Sequence, residues 1–279
     1  MPKNNSSVIA ETSPEHQAYL NRIQRRKHAI WWTRVFILIA FFAFWELLAQ
    51  WHWIDPFITS QPSRMVRTLM NLYSEGVLFH HIGITCLETA IGFVFGTLFG
   101  TLIAVILWWS DFLTRVAEPY LVILNSLPKI ALAPIFITWI GAGSAAIISM
   151  ALAISMIVTI LEVLHGLLTV DQDQIKLVQT FGANKIQILT KVILPASFPA
   201  IINALKINVG LSWVGVIVGE FLVSKAGIGY LIVYGQQVFK LDLVMSSVFI
   251  LSICATLMYQ GVVWLEKILV KKPFESSVI

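Results

Sequence analysis

The stretch TAIGFVFGTLFGTLIAVILWWS, residues 89–110, decides the fold. It carries no charge between Glu88 and Asp111 and reaches the roughly 20 apolar residues that a helix needs to cross a bilayer. Gly92, Gly96, Gly100 and Ala104 recur every fourth residue, which sets them on one helical face and lets another helix approach closely. The rest of the 279-residue chain has the same character, 57% hydrophobic and 12% charged. A soluble domain has about 25% charged residues, so a water-facing globule is excluded, and five or six crossings consume most of the length.

Toward the N-terminus, residues 1–30 are polar and end in Arg25, Arg26 and Lys27, as expected of a cytoplasmic tail. The apolar run 31–50 reads as a retained first helix rather than a cleaved signal peptide, because more crossings follow; its one blemish is Glu46. Between residues 51 and 80, Met65, Leu69 and Leu72 at helical spacing among Asp55, Arg64, Arg67 and Glu75 predict a short amphipathic helix lying in the interface. The second crossing covers about 81–109. Lys129 is the only charge between Glu118 and Glu162, a stretch too long for one helix and broken at Gly141–Ser144, which predicts helices over 119–140 and 145–168. A polar segment, 169–195, leads to Pro195 and Pro199, a fifth run to about 222 and a sixth helix over 243–265.

The expected protein is all-α and polytopic, with six transmembrane helices. Its parts are a tail over 1–30, a membrane domain over 31–268 that includes the loop 169–195, and a tail over 269–279. Of nineteen Lys and Arg, thirteen fall in the N-terminal segment up to Arg34, at Arg115, in the 169–195 loop and in the C-terminal segment from Lys267, while Arg64, Arg67, Lys225 and Lys240 fall on the opposite side. Positive residues gather on the cytoplasmic side, so both termini and the long loop are expected there. The net charge of +4 therefore reports topology, not nucleic-acid binding. Cys86 and Cys254 sit in apolar runs and suggest neither a disulfide framework nor a metal site. His80 and His81 are adjacent, cannot share a helical face and have no third ligand spaced with them, so no metal is expected.

The long loop reads IKLVQTFGANKIQILTKVILP, residues 175–195. Gly182 can end one short helix because it tolerates positive φ, and a second amphipathic helix then runs into Pro195. Two short helices with a tight bend make a rigid knob; the plain alternative is an ordinary connector.

This loop resembles that of ABC importer permeases, whose pattern is Glu-Ala-Ala, three residues, Gly, nine residues, Ile-x-Leu-Pro. Gly182 and Val192 to Pro195 match in spacing, while Lys176, Leu177 and Val178 stand in place of Glu-Ala-Ala. The order of Leu127-Pro128, Pro134, Trp139 to Gly141, Phe181-Gly182-Ala183, Lys206 to Trp213, Gly219-Glu220 and Gly227 to Tyr230 is similar to the permeases of nitrate, sulfonate and taurine uptake, with Lys129 replacing a second proline. The resemblance runs from about Pro56 to Lys267. It implies a type I importer permease fold in a bacterial cell membrane, a homodimer surrounded by lipid, two ATP-hydrolysing subunits and an extracytoplasmic binding protein. It also assigns Val178, Gln179, Thr180, Phe181, Gly182, Ala183, Leu194 and Pro195 to coupling with the ATPase. No Gly-x-x-x-x-Gly-Lys-Ser/Thr run occurs, so ATP and Mg²⁺ are expected on the partner, with no cofactor and no catalytic residue in this chain.

Charges inside a bilayer face cavities or partners, so the pore candidates are Asn125, Ser126, Lys129, Lys206, Asn208 and Glu220. Lys129 either lines the pore, where two copies would attract anions, or reaches water or a carbonyl at the Pro128–Pro134 bend. Lys206 snorkels, pairs internally or touches solute. Glu220 pairs with Lys225 or faces the binding protein. The expected cargo is a small anion such as a sulfonate, nitrate or taurine, with a vitamin or pyrimidine precursor as the alternative. A secondary transporter would instead show inverted repeats with midplane carboxylates, and no such repeat is visible in the sequence.

Overall fold

The computed structural model describes residues 14–269; the outer parts of the two expected tails, 1–13 and 270–279, lie outside the described residues. The chain divides into two compact units at Arg64 and Met65.

The first unit contains α1 (Pro14–Gln50) and α2 (Pro56–Thr59). α1 starts well before the expected residue 31, because residues 15–50 contain no Gly or Pro and their polar part is rich in Gln, Arg, Lys and Ala, which favour helix without needing burial. Its membrane part is apolar and exposed on nearly every side, from Trp31 and Trp32 to Phe44 and Leu47, as suits a helix facing lipid. Glu46 has a role there: its carboxyl accepts hydrogen bonds from the Gln50 amide at 3.1 Å and the Ser63 backbone N–H at 3.0 Å. Asp55 caps α2 by accepting from the Phe57 N–H at 2.8 Å.

The second unit holds most of α3 (Pro62–Ser74), then α4 (Leu78–Trp108), α5 (Asp111–Ser126), α6 (Ala133–Ile140), α7 (Ser144–Leu168), α8 (Gln172–Thr180), α9 (Lys185–Ile188), α10 (Leu194–Val223), α11 (Ile228–Gln237) and α12 (Leu241–Leu269). Five of the described helices, one of them in the first unit, are long and apolar enough to cross a membrane, and α5 with α6 makes a sixth span if taken together. That third span is not the continuous helix expected over 119–140. α5 and α6 are bent by 88°, with a 3₁₀ turn at Lys129–Leu132 between them. Pro128 supplies no N–H and pushes Leu127 into an extended conformation, at φ −63° and ψ 139°, which ends α5. α11 is a second departure from the sequence expectation; it is ten residues long, too short to cross a membrane.

α7 is the central plank of this unit. On one side lies the glycine face of α4: a Cβ at Gly92 would sit 2.7 Å from the Ala151 Cβ, one at Gly100 would sit 2.6 Å from the Thr159 Cβ, and one at Gly96 would strike Ser155. On the other side α10 presents Gly215 to the backbone of Ala151 and Gly219 to Ile147, whose Cα would lie 3.0 Å from an added Cβ. Lipid tails are as apolar as leucine, so helix association in a membrane depends on such close packing rather than on expulsion of water. Ile160, Val163, Leu164 and Leu167 continue the packing toward the α8–α9 end, where they meet Ile188, Leu189 and Ile193.

Gly100→Leu is expected to overpack the α4–α7 contact against the Met156 carbonyl and Thr159, costing about 1–3 kcal/mol. Gly83→Ala, with nothing within 4 Å of an added Cβ, should leave stability unchanged or slightly raised. Thermal unfolding of the two purified variants in one detergent checks both; equal melting would contradict the packing argument.

Candidate functional site

The 169–195 segment forms an elbow built from local rules. Asp171 caps α8 by accepting from the Asp173 N–H at 2.9 Å. The helix ends at Phe181, and Gly182 follows at φ +78°, a left-handed conformation that costs a residue with a Cβ about 1 kcal/mol or more. Two bonds close the end: the Gly182 N–H donates to the Gln179 carbonyl at 2.9 Å, and the Ala183 N–H donates to the Val178 carbonyl at 3.1 Å. This paired pattern is the Schellman motif, and Val178 and Ala183, its apolar partners, both pack on the core beneath.

α9 starts two residues later with a capping box: the Asn184 side chain accepts from the Gln187 N–H, the Gln187 side chain accepts from the Asn184 N–H, both at 2.9 Å. The chain then passes through a π turn at Leu189–Ile193 into α10, with Leu194 and Pro195 in its first turn. Lys185 ties the elbow down, donating to the Trp109 carbonyl at the end of α4 while its ammonium lies 5.1 and 5.9 Å from the Trp109 and Trp108 rings. Phe181 at the tip is 81% exposed, and Gln179, Thr180 and Gly182 are exposed beside it. The result is a stiff, anchored projection with an uncovered aromatic ring at its apex.

The expected pore residues are not brought together in one place. Asn125, Ser126 and Lys129 cluster at the α5–α6 bend, where Lys129 Nζ donates to the Asn125 carbonyl at 2.8 Å and to its side-chain oxygen at 3.1 Å. The lysine thus satisfies a carbonyl freed at the end of α5, a favourable place for a cation. The Ser126 hydroxyl turns back to the Val122 carbonyl at 2.8 Å. Lys206 on α10 pairs with Glu266 on α12 at 2.8 Å, their side chains 25% and 31% exposed. Local spacing does not point to Glu266, which lies 60 residues further along the chain.

Asn208 is fully buried at the junction of three helices, its amide donating to Thr97 of α4 at 3.2 Å and to Thr159 of α7. Glu220, 1% exposed, accepts from the Thr85 hydroxyl at 2.6 Å and from the Gly229 N–H at 2.5 Å. No ion pair joins it to Lys225 among the described residues. Glu88, also buried, lies near Ser144 and Glu220 without a hydrogen bond to either carboxyl oxygen among the described residues.

Residues 96–274 match the family described as binding-protein-dependent transport system inner membrane component. A probable ABC transporter permease from Haemophilus influenzae is 31% identical over 79% of this chain and 89% of its own length. A formylaminopyrimidine transport permease from Halalkalibacterium halodurans is 28% identical over 81% and 89%, and a putative aliphatic sulfonates transport permease from Bacillus subtilis is 26% identical over 88% and 89%. The fold is similar to a chain of a bacterial ABC transporter involved in the import of the acidic polysaccharide alginate, at a TM-score of 0.60 and 15% identity over 89% of this chain and 99% of that one. With the helical bundle, the elbow and these likenesses together, the chain belongs to the binding-protein-dependent transport system inner membrane components: it is a multi-pass membrane permease subunit of an ABC importer with the type I fold, and not itself an enzyme.

Proposed function

We propose that two copies of the chain form the pore and that the elbow around Gly182 is the handle gripped by a separate ATP-hydrolysing subunit on the cytoplasmic side. The elbow carries this reading: it is capped at both of its helices, pinned to α4 by Lys185 and topped by an exposed Phe181. Force applied there reaches the central packing, because Ile188, Leu189 and Ile193 share a core with α7. A floppy loop would dissipate such a push, whereas a stiff one biases a two-state pore.

The lysine and arginine distribution supports a cytoplasmic elbow and cytoplasmic termini. ATP and Mg²⁺ belong to the partner, since a phosphate-cradling run is missing from the sequence. In the cycle, closure of two ATPase subunits pushes both elbows and opens the pore to the exterior, where a binding protein delivers solute.

The proposed cargo is a small anion of the sulfonate, taurine or nitrate kind. The sulfonate permease among the relatives supports this, as does Lys129, an ammonium at a helix break with Asn125 as its only described hydrogen-bonding residue. A pyrimidine precursor is the second reading, favoured by the formylaminopyrimidine permease.

Gly182→Asp is expected to leave the protein in the membrane and abolish ATP-driven uptake, through strain at positive φ and a charge on the handle; normal uptake in vesicles would refute the lever. Asn184→Ala, which removes a cap worth about 1 kcal/mol, should speed amide exchange in α9 while that of α7 stays slow. Lys129→Ala should lower sulfonate uptake at unchanged expression, with Lys129→Arg keeping more of it than Ala. Equal uptake by all three would remove the lysine from the anion path.

A further inference from the structure

α11 begins without a local cap. Its cap position is Gly227, at φ +117° and without a side chain, so the first amides of the helix have no partner from their own segment. Three side chains from elsewhere take them. The Gly227 N–H donates to His81 Nδ1 at 2.9 Å, the Ile228 N–H to Thr85 Oγ1 at 2.7 Å, and the Gly229 N–H to Glu220 Oε2 at 2.5 Å. Thr85 joins the set by donating its own proton to Glu220 Oε1 at 2.6 Å. Two of the three side chains come from α4 and one from α10, so two long helices hold the short one by its backbone.

The fit requires glycine at residue 229, where a Cβ would stand 2.7 Å from Glu220 Oε2 and 2.8 Å from its Cβ. The same residues build a wall. His81 stacks on Tyr230 at 5.9 Å and 18°, and Tyr230 on Tyr234 at 6.0 Å and 19°. These three rings border a pocket of about 500 Å³ whose other polar residues include Asn71, Glu75 and Lys240.

We infer that His81, Thr85 and Glu220 are positioning residues that dock α11 by its N-terminal amides, and that Glu220, which takes one amide and closes the relay through Thr85, is the member whose loss undocks the helix. α11 is then a docked wall of the pocket, and its pose sets the shape that an arriving solute meets. The role in transport rests on the importer reading; the docking does not.

The test is thiol accessibility in the full chain in membranes, with Cys86→Ser and Cys254→Ser removing the native thiols. Ile232→Cys reports on the buried face of α11, and Leu167→Cys, at the far end of α7, reports on the bundle. Both should resist a membrane-permeant maleimide while Glu220 is present. Glu220→Ala should speed labelling at residue 232 by about tenfold or more and leave residue 167 protected, as expected when a buried hydrogen-bonded group is lost. Glu220→Gln, which keeps a carbonyl acceptor, should restore most of the protection, and Thr85→Val should resemble the alanine variant. Unchanged labelling in Glu220→Ala, exposure of both probes, or a glutamine variant no better than alanine would each overturn the inference. Uptake is read separately, with the ATP-hydrolysing partner and the binding protein present: docked α11 with no ATP-driven uptake there would count against the proposed pore-and-handle function alone.

Discussion

Close approach of α4 and α10 to α7 is the constraint on which the second unit depends. Water is not there to drive these helices together, so they must gain from contact at short range, and contact at short range needs missing side chains. Gly92, Gly96 and Gly100 meet Ala151, Ser155 and Thr159 in register, one small residue per turn on each helix, while Gly215 and Gly219 repeat the arrangement from the other side. The approach also brings polar groups into reach. Asn208 donates to hydroxyls on both neighbours only because the three backbones are near, and in a medium without water such bonds fix rotation and depth as well as adding energy.

From that packed centre the structure extends in two directions. At one end α7 and α10 are joined by the elbow, whose base is buried against α7 and whose tip is stiffened by backbone geometry and two caps and left uncovered. At the other end Thr85 of α4 and Glu220 of α10 reach out to hold α11. A shift of α10 against α4 would therefore be felt at both ends: at one as movement of the elbow, at the other as a change in the amide contacts of α11. Tightly packed helices resist continuous deformation, so a displacement at one end is passed to the other rather than absorbed between them.

Much of this is legible in the sequence, and for definite reasons. Apolar runs give the crossings because only a helix satisfies its own backbone in lipid, and the four-residue period of glycine in 89–110 marks the contact face by spacing alone. Gly182 reads correctly as a helix end, since positive φ is a local matter. The bend at Pro128 is written in the residue before it, but the run of apolar residues through 140 conceals the break and suggests a single long helix instead. α11 is hidden because Gly227 and Gly229 look like a loop and because its caps come from residues more than 140 positions away, apart from Glu220. The partners of Lys206 and Glu220 are likewise beyond reach: local spacing suggests Lys225 for the latter, while tertiary packing supplies Thr85 and an amide.

Whether the elbow is a handle for a separate motor is tested by a cross-link from its tip. Phe181→Cys, in a chain lacking the two native cysteines and assembled with its ATP-hydrolysing partner, is treated with a short thiol-to-amine cross-linker, and the product is identified by mass. A handle at this position gives a cross-link to the ATPase subunit, in a yield that changes when ATP is bound. Failure to reach the ATPase, or ready modification of residue 181 by an impermeant reagent from outside intact cells, would contradict it.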